Sequence, residues 1–434
     1  MAAVAGLAAC VGALAGCGNA YRPVLATIGV VGPAGQPQKY AVAVSSPSPT
    51  SNGLMTLVDF SGDTVLVTAS LGVNPYYLVL NQSGTTGYTL NSDKTVNSFD
   101  ISTSLITSQV LESTLPTGSN PVSLLATSSS TYISDPGVNA FDQMTGTPPA
   151  LRQELPTNTG YTPIYMVGLS SAPRSYAISQ ATGGGPGQVL AIESAGNTIS
   201  NTIPVGRGPV YGVMTLDSRR VFILNQTDGT VSVINSQTNV LDTPINTIPV
   251  GVRPVWADLA SGLDELVVAN QGNGTTPGSV TIINIPLCST TALPTNPNCN
   301  PTNPIDATTF GQVIATIPVG INPIMVTVLG DYTRAYVANA GVAGLPCAAN
   351  GIADATHTTC TVSVVNLTSD TVTATIPING HPAYIASSNA TPTGKVYVVC
   401  KDSQVMTVIK TDTDSVDTTI PLQGFGVSVR MTAP

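Results

Sequence analysis

Short runs of Val and Ile, alternating or continuous and broken at close intervals by turn residues, dominate the chain. After Pro209 they read VYGVMT, RRVFILN, TVSVINS and PINTIPV, with Thr227-Asp228-Gly229 between the second and third. After Pro323 the same order returns as IMVTVL, RAYVANA, CTVSVVNL and TVTATIPI. Runs of six to eight residues rich in β-branched side chains and bounded by Gly, Asp and Asn predict strands joined by tight hairpins. A helical repeat would show a 3.6-residue period instead, and these stretches do not.

The strands come in a repeat. Gly-x-x-Pro recurs at Gly72–Pro75, Gly118–Pro121, Gly160–Pro163, Gly206–Pro209, Gly251–Pro254 and Gly320–Pro323, with a shortened Gly380-His381-Pro382. Successive prolines lie 46, 42, 46, 45, 69 and 59 residues apart. A period near 45 with four short strands per unit predicts a propeller blade. The expected fold is all-β, a β-propeller of four-stranded antiparallel blades. Seven complete units run from Pro75 to about Leu422. Before them, residues 39–46, 54–60 and 63–71 read as second, third and fourth strands. After them, Gly426–Met431 reads as a first strand, so the last blade is closed by strands from both termini and the count favours eight. Val24–Val31 is a rival first strand for that blade. Closure leaves no long unpaired edge.

The two long units carry cysteine-bearing insertions. Cys288 and Cys299 lie between a third and a fourth strand, Cys347 and Cys360 between a second and a third. Propeller connections alternate between two faces, so the second insertion should share a face with the Gly-x-x-Pro turns and the first should not. Local pairs 11 and 13 residues apart suit loop-closing disulfides in an oxidising compartment. A metal site is the rival reading, with His357 as the nearby imidazole, but neither pair has CxxC spacing. Cys400, inside KVYVVCK, reads as a buried thiol.

Tyr336-Val-Ala-Asn339, Val267-Val-Ala-Asn270, Thr230-Val-Ser-Val-Ile234 and the recurring Thr-Ile-Pro-Val-Gly at 202–206, 247–251 and 316–320 resemble the YVTN-type β-propeller repeat. The likeness covers residues 160–425 well and is mostly architectural. It implies a bacterial or archaeal surface or secreted protein. Its more familiar form has seven blades, the alternative to the eight counted above.

The N-terminal segment changes the picture of location. Residues 2–16 are uncharged and apolar, too short to span a bilayer, which needs roughly 20 residues. They suit the core of a secretory signal. The run ends Leu14-Ala15-Gly16-Cys17, which resembles the lipobox of bacterial lipoproteins. The resemblance implies a signal peptide over 1–16, lipidation of Cys17, a tether over 17–38 and a single propeller domain over 39–434. The protein would then be extracytoplasmic, held to a membrane by its N-terminal lipid, in the periplasm, outer membrane or cell surface.

Composition narrows the partners. The chain has 434 residues, 14 Lys plus Arg and 23 Asp plus Glu, a net charge of −9, and only 9% charged residues. A surface this poor in cations excludes nucleic acid as a partner. Two histidines fall short of the several His ligands that a haem or copper propeller site needs, and one Trp excludes a cofactor made from two. No cofactor, metal site or catalytic cluster is assigned. Asp412, Asp414 and Asp417 read as turn carboxylates, and Gly183–Gly187 as a hairpin turn.

Chemistry is sought at register-matched positions. Two residues after each motif proline stand Tyr77, Ser123, Tyr165, Tyr211, Trp256, Met325 and Tyr384. Five of these seven are aromatic, in a chain with 5% aromatics. On innermost strands they form an expected aromatic mouth to the central channel, with Arg207, Arg253 and His381 as polar handles. Such a mouth suits a neutral or anionic ligand, a glycan, peptide or protein segment. The alternative is wedge packing between blades. Asp258, on the strand face of Trp256, joins His381 and Arg253 in a lactonase- or lyase-like enzyme reading. Three functions therefore stand: a binding or protein-interaction scaffold, a propeller enzyme at the channel mouth, and a passive envelope or surface-layer component.

Overall fold

The computed structural model describes residues 39–101, 110–128, 130–286, 308–348, 351–388 and 394–432. The segments expected to be a signal peptide and a tether, with Cys17 and the rival strand Val24–Val31, lie outside them, as do Cys288 and Cys299.

The described residues form eight antiparallel sheets of four strands, each a blade of one propeller. The innermost strands are Pro75–Leu80, Ser123–Ala126, Tyr161–Val167, Pro209–Met214, Pro254–Ala260, Pro323–Val328, Pro382–Ser387 and Phe425–Met431. Each touches the next around a closed ring. We number the blades from the N-terminus. Blade 1 combines Tyr40–Ser46, Asn52–Asp59 and Thr64–Val73 with the C-terminal Phe425–Met431, which pairs with Tyr40–Ser46. Eight blades and the two-ended closure agree with the repeat count. In blade 5 the outer strand is split into Val240–Leu241 and Thr247–Pro249, both paired with Thr230–Asn235.

The repeat motif has a physical cause. The last residue of the second strand is Asn91, Asn225, Asn270 or Asn339 in four blades, and each is buried. Its side-chain amide donates to hydroxyls of the third strand, as from Asn225 to Ser232 Oγ at 2.9 Å, Asn270 to Thr281 Oγ1 at 2.9 Å and Asn339 to Ser363 Oγ at 3.0 Å. The motif glycine lies over this amide. A Cβ at Gly206, Gly251 or Gly320 would fall within 2.6–2.7 Å of the Asn carboxamide, so the position tolerates no side chain. The proline then pairs opposite the Asn, as Pro254 with Asn270 and Pro323 with Asn339.

A second repeated contact locks blade to blade. The second-strand tyrosines Tyr132, Tyr176, Tyr336 and Tyr397 reach the hairpin turn between the third and fourth strands of the following blade. Their hydroxyls donate to Asn197, Asn239, Asp414 and Asp63. Each acceptor has positive φ, between 47° and 59°, within the range that Asn and Asp tolerate best. Basic residues add to the latch: Arg334 donates to Asp414 at 2.7 Å and Lys395 to Asp63 at 2.6 Å. Asp414 therefore serves the blade 7–blade 8 contact, and Asp417 pairs with Lys410. In blade 6 the tyrosine position is Val267. There Glu265 is pushed up to about 7 by burial and by the Asp370 carboxylate of the next blade's turn.

Cys347 and Cys360 form a disulfide with Cα atoms 5.5 Å apart. Their insertion joins Arg334–Asn339 to Thr361–Asn366 and touches the Gly380–Pro382 turn through the Leu345 carbonyl. It therefore lies on the face of the Gly-x-x-Pro turns, as expected. Cys400 is a buried free thiol, pushed up to about 12 by burial and then by Asp402.

Blade 3 departs from the amide pattern. Asp135 takes the Asn position and Asp142 the facing third-strand position, where blade 2 has Asn91 and Asn97. Asp142 is fully buried and neither of its oxygens meets a donor. Burial first, then the Asp135 and Glu154 carboxylates, push it up to about 7. A carboxyl raised in the folded state binds its proton more tightly there than in the unfolded chain. Folding stability from this group is therefore present at low pH and lost as pH rises through about 4 to 7. Glu265 acts in the same sense. The expected outcome is a thermal midpoint higher at pH 5 than at pH 8. Asp142→Asn should recover about 2–4 kcal/mol at pH 8 and far less at pH 5, read from denaturation curves at both. A variant carrying Cys347→Ser and Cys360→Ser should lose about 3 kcal/mol of unfolding free energy, the loop-entropy value for this span.

Candidate functional site

The inner strands share one irregularity that places the aromatic residues. In six blades the register with the second strand slips just after the motif proline, as between Pro209 and Tyr211 or Pro254 and Trp256. A bulge re-aims the next side chain. Here Tyr211, Trp256, Met325 and Tyr384 come to line one axial cavity of about 510 Å³.

The rings touch in series. Tyr165 and Tyr211 have centroids 4.8 Å apart, Tyr211 and Trp256 stack at 4.1 Å, and Trp256 meets Tyr384 edge-on at 5.8 Å. Tyr165 lies close enough to the Tyr77 hydroxyl to lower its pKa against the larger effect of burial. Blade 3 lies between these two and carries the small Ser123, whose hydroxyl turns away to Ser134 at 2.8 Å. All five aromatics named from the sequence therefore converge around the axis. Each is only partly buried; Tyr211, Trp256 and Tyr384 line the cavity, while Tyr77 and Tyr165 continue the series without lining it. Burial raises the pKa of Tyr77, Tyr165, Tyr211 and Tyr384, so all four hydroxyls stay neutral. The Tyr384 hydroxyl is buried and has no hydrogen-bond partner.

Two charged residues lie one layer further along the same strands. Counting from the bulge, the equivalent positions are Val79, Leu125, Val167, Val213, Asp258, Thr327, Ala386 and Arg430. Asp258 and Arg430 are the charged members, of opposite sign, and both line the cavity. Their cross-strand partners are Val267 and Val42, whereas the other six partners are Tyr or Phe. Asp258 accepts from the backbone N–H of Val328 at 2.8 Å and of Leu259 at 2.9 Å. Burial still outweighs these bonds and the Arg430 charge and pushes it up to about 6. The Arg430 guanidinium lies over the Tyr384 ring at 4.4 Å, and its Nε donates to the Leu78 carbonyl at 3.3 Å. Its terminal nitrogens have no hydrogen-bond or ion-pair partner among the described residues.

The proposed handles are elsewhere. The cavity is bordered by residues that follow the inner strands, among them Asn81, Leu169, Leu216 and Gly330. Arg207, Arg253 and His381 precede those strands and do not line it. Arg207 donates to Asp228 at 2.6 Å, and Arg253 is exposed with φ of 57° beside Thr227 and Asp228. His381 Nδ1 lies 2.6 Å from Asp402 Oδ2, and its Nε2 3.0 Å from the Leu345 carbonyl. His381 rather than His357 approaches the Cys347–Cys360 pair: the three ligand-type atoms lie within 4.8 Å. The disulfide ties up both sulfurs and the ring nitrogens already face oxygens, so packing accounts for the cluster. Arg430 escaped the sequence reading because its strand lacks the Gly-x-x-Pro marker. Aligning Gly426-Val-Ser-Val-Arg430 with Pro254-Val-Trp-Ala-Asp258 would have found it.

No family model matches the chain, and no curated protein matches it. Solved structures of similar fold exist. The dihydro-heme d1 dehydrogenase NirN in complex with DHE aligns with a TM-score of 0.64 at 11% identity, over 93% of this chain and 78% of that one. Apo AztD from Citrobacter koseri aligns at 0.56 and 11% identity, over 91% and 97%. Hydrazine synthase of Kuenenia stuttgartiensis aligns at 0.52 and 15% identity, over 71% and 89%. At these identities the likeness establishes the propeller fold alone.

A hydroxyl buried without a partner contributes nothing to folding and costs its desolvation. Tyr384→Phe should therefore leave stability unchanged or raise it by up to about 1 kcal/mol in a urea titration.

Proposed function

We propose that this protein is a lipid-anchored extracytoplasmic propeller of YVTN type that binds a ligand in its axial cavity. The observation that carries the binding reading is the wall itself: an open series of aromatic rings holding an unpaired arginine and an unpartnered tyrosine hydroxyl. A merely packed channel would have no use for either, since both cost free energy unless something supplies partners. The enzyme alternative needs Asp258, His381 and Arg253 at one point. Asp258 reaches the cavity, while the other two belong to the turns at the opposite ends of the strands. The passive envelope reading leaves the charged pair in the channel unexplained.

The membrane assignment rests on the lipobox-like Leu14–Cys17 sequence. A diacylated or triacylated cysteine anchors stably, so the propeller needs no apolar face of its own. Cys17→Ala should move the expressed protein from the membrane pellet to the soluble fraction. Retention in the pellet would count against the anchor.

Trp256 is the sole tryptophan and lines the cavity, which makes its emission a direct reporter. A ligand that enters should change that emission saturably, and Tyr211→Ala, which removes one face of the stack, should weaken it. If soluble organic acids, amides, amines and short glycans all leave the emission unchanged, the binding reading fails.

A further inference from the structure

We propose that the axial cavity is a carboxylate site: it takes a monoanionic organic acid whose carboxylate docks on the terminal nitrogens of Arg430 and whose ring lies against Tyr211 and Trp256. This rests on the binding reading above and specifies its ligand class.

The orientation of Arg430 selects the group it can hold. One face of the guanidinium is covered by Tyr384, and Nε is occupied by the Leu78 carbonyl. What remains free is the pair of terminal nitrogens, whose N–H bonds match the two oxygens of a carboxylate. The Tyr384 hydroxyl, buried beside the guanidinium and lacking a partner, supplies a further donor. Among the described residues, other inward-facing cations each meet a carboxylate of the chain itself: Arg174 with Glu193, Arg220 with Asp242, Arg334 with Asp414, Lys395 with Asp63. Arg430 is the one in the channel, and its carboxylate is missing.

Charge count and walls set the rest of the ligand. One arginine faces one anionic charge. Asp258 shares the layer and feels the Arg430 charge, so a dianion such as phosphate meets repulsion that a monoanion meets less. The stacked Tyr211 and Trp256, with Met325, Val213 and Leu329, offer an apolar surface for a ring body. The groups facing Asp258 are Arg430 on the closing strand, the neutral Tyr211 and Tyr384 hydroxyls, and the backbone N–H of Val328. Protonation of Asp258 removes the one negative charge in the layer. Affinity for a carboxylate should therefore rise as pH falls from 7.5 towards 5, and Asp258→Asn should flatten that dependence.

The test uses benzoate, benzamide and benzylamine as isosteric probes, read by Trp256 emission on the full propeller. Benzoate should bind at least tenfold more tightly than either, and inorganic phosphate should compete weakly or not at all. Arg430→Met should abolish the benzoate preference while folding as well as the parent, because it removes an unpaired cation. Arg430→Lys, which keeps the charge and loses the fork, should retain only part of it. Equal binding of benzoate and benzamide would overturn the carboxylate assignment and leave the cavity a binding site. So would an unchanged preference in Arg430→Met. If Arg430→Met unfolds, Tyr384→Phe decides: a loss of benzoate affinity without loss of stability supports the site, and no loss overturns it. Silence with all three probes up to millimolar concentrations overturns it too, while a response to short glycans there would preserve the binding reading.

Discussion

The pairing of Phe425–Met431 with Tyr40–Ser46 is the constraint on which the rest depends. Seven blades can stack in sequence without it, but a stack ends in two exposed edges, and a row of unpaired backbone groups is a template for association. Phe425–Met431 supplies the innermost strand of blade 1, so the ring closes only when this strand is in place. The closure is reinforced on the outer side. Lys395 and Tyr397 of blade 8 both reach Asp63 in the turn of blade 1, where the Lys395 and Asp63 side chains are each 12% exposed. Such a pair gains little over apolar packing, but breaking it strands a charge. It specifies which blade follows which more than it adds stability.

The closing strand also completes the cavity. Arg430 sits at the register position held by Asp258 in blade 6, with Val42 and Val267 as the respective cross-strand neighbours. In the remaining blades that neighbour is aromatic, and four of those tyrosines latch onto the next blade. The two blades that project a charge into the channel have thus given up the bulky neighbour. In blade 6 the consequence is visible at the rim, where Glu265 and Asp370 face each other without the hydroxyl and base that serve blades 7 and 8. The charges at the axis and the cohesion at the rim draw on the same sheet face.

Most of the architecture was legible because the repeat exposes its own physics. Gly206, Gly251 and Gly320 recur because an asparagine amide occupies the space of a Cβ, and Tyr336 and Tyr397 recur because a turn acceptor waits in the next blade. The aromatic ring was legible for the same reason. Of the polar members named with it, Asp258 lines the cavity and the other three do not. Arg253 and His381 stand immediately before a motif proline and Arg207 two residues before one, a few residues from Trp256, Tyr384 and Tyr211 in sequence. An inner strand carries its two ends to opposite faces, and a short sequence distance across a strand start becomes a separation in space. Arg430 lay hidden in a strand that inherits its role from pairing, with no motif to flag it.

The chain holds 14 Lys and Arg against 23 Asp and Glu, so a carboxylate is within reach for most cations that fold inward. Arg220 shows the usual outcome: it is 4% exposed and paired with the buried Asp242. An arginine turned into an axial cavity with an aromatic ring over one face, a carbonyl at Nε and open terminal nitrogens is a departure from that rule in a protein rich enough in acids to have satisfied it. Desolvating a cation without a counter-charge is among the costlier things a fold can do. Asp258 offers partial compensation across the channel, yet its own oxygens are committed to the Val328 and Leu259 N–H groups rather than to Arg430. The two charges are held apart by backbone bonds and ring stacking that fix each in place. A cavity whose polar groups are prevented from satisfying one another is arranged for a third participant.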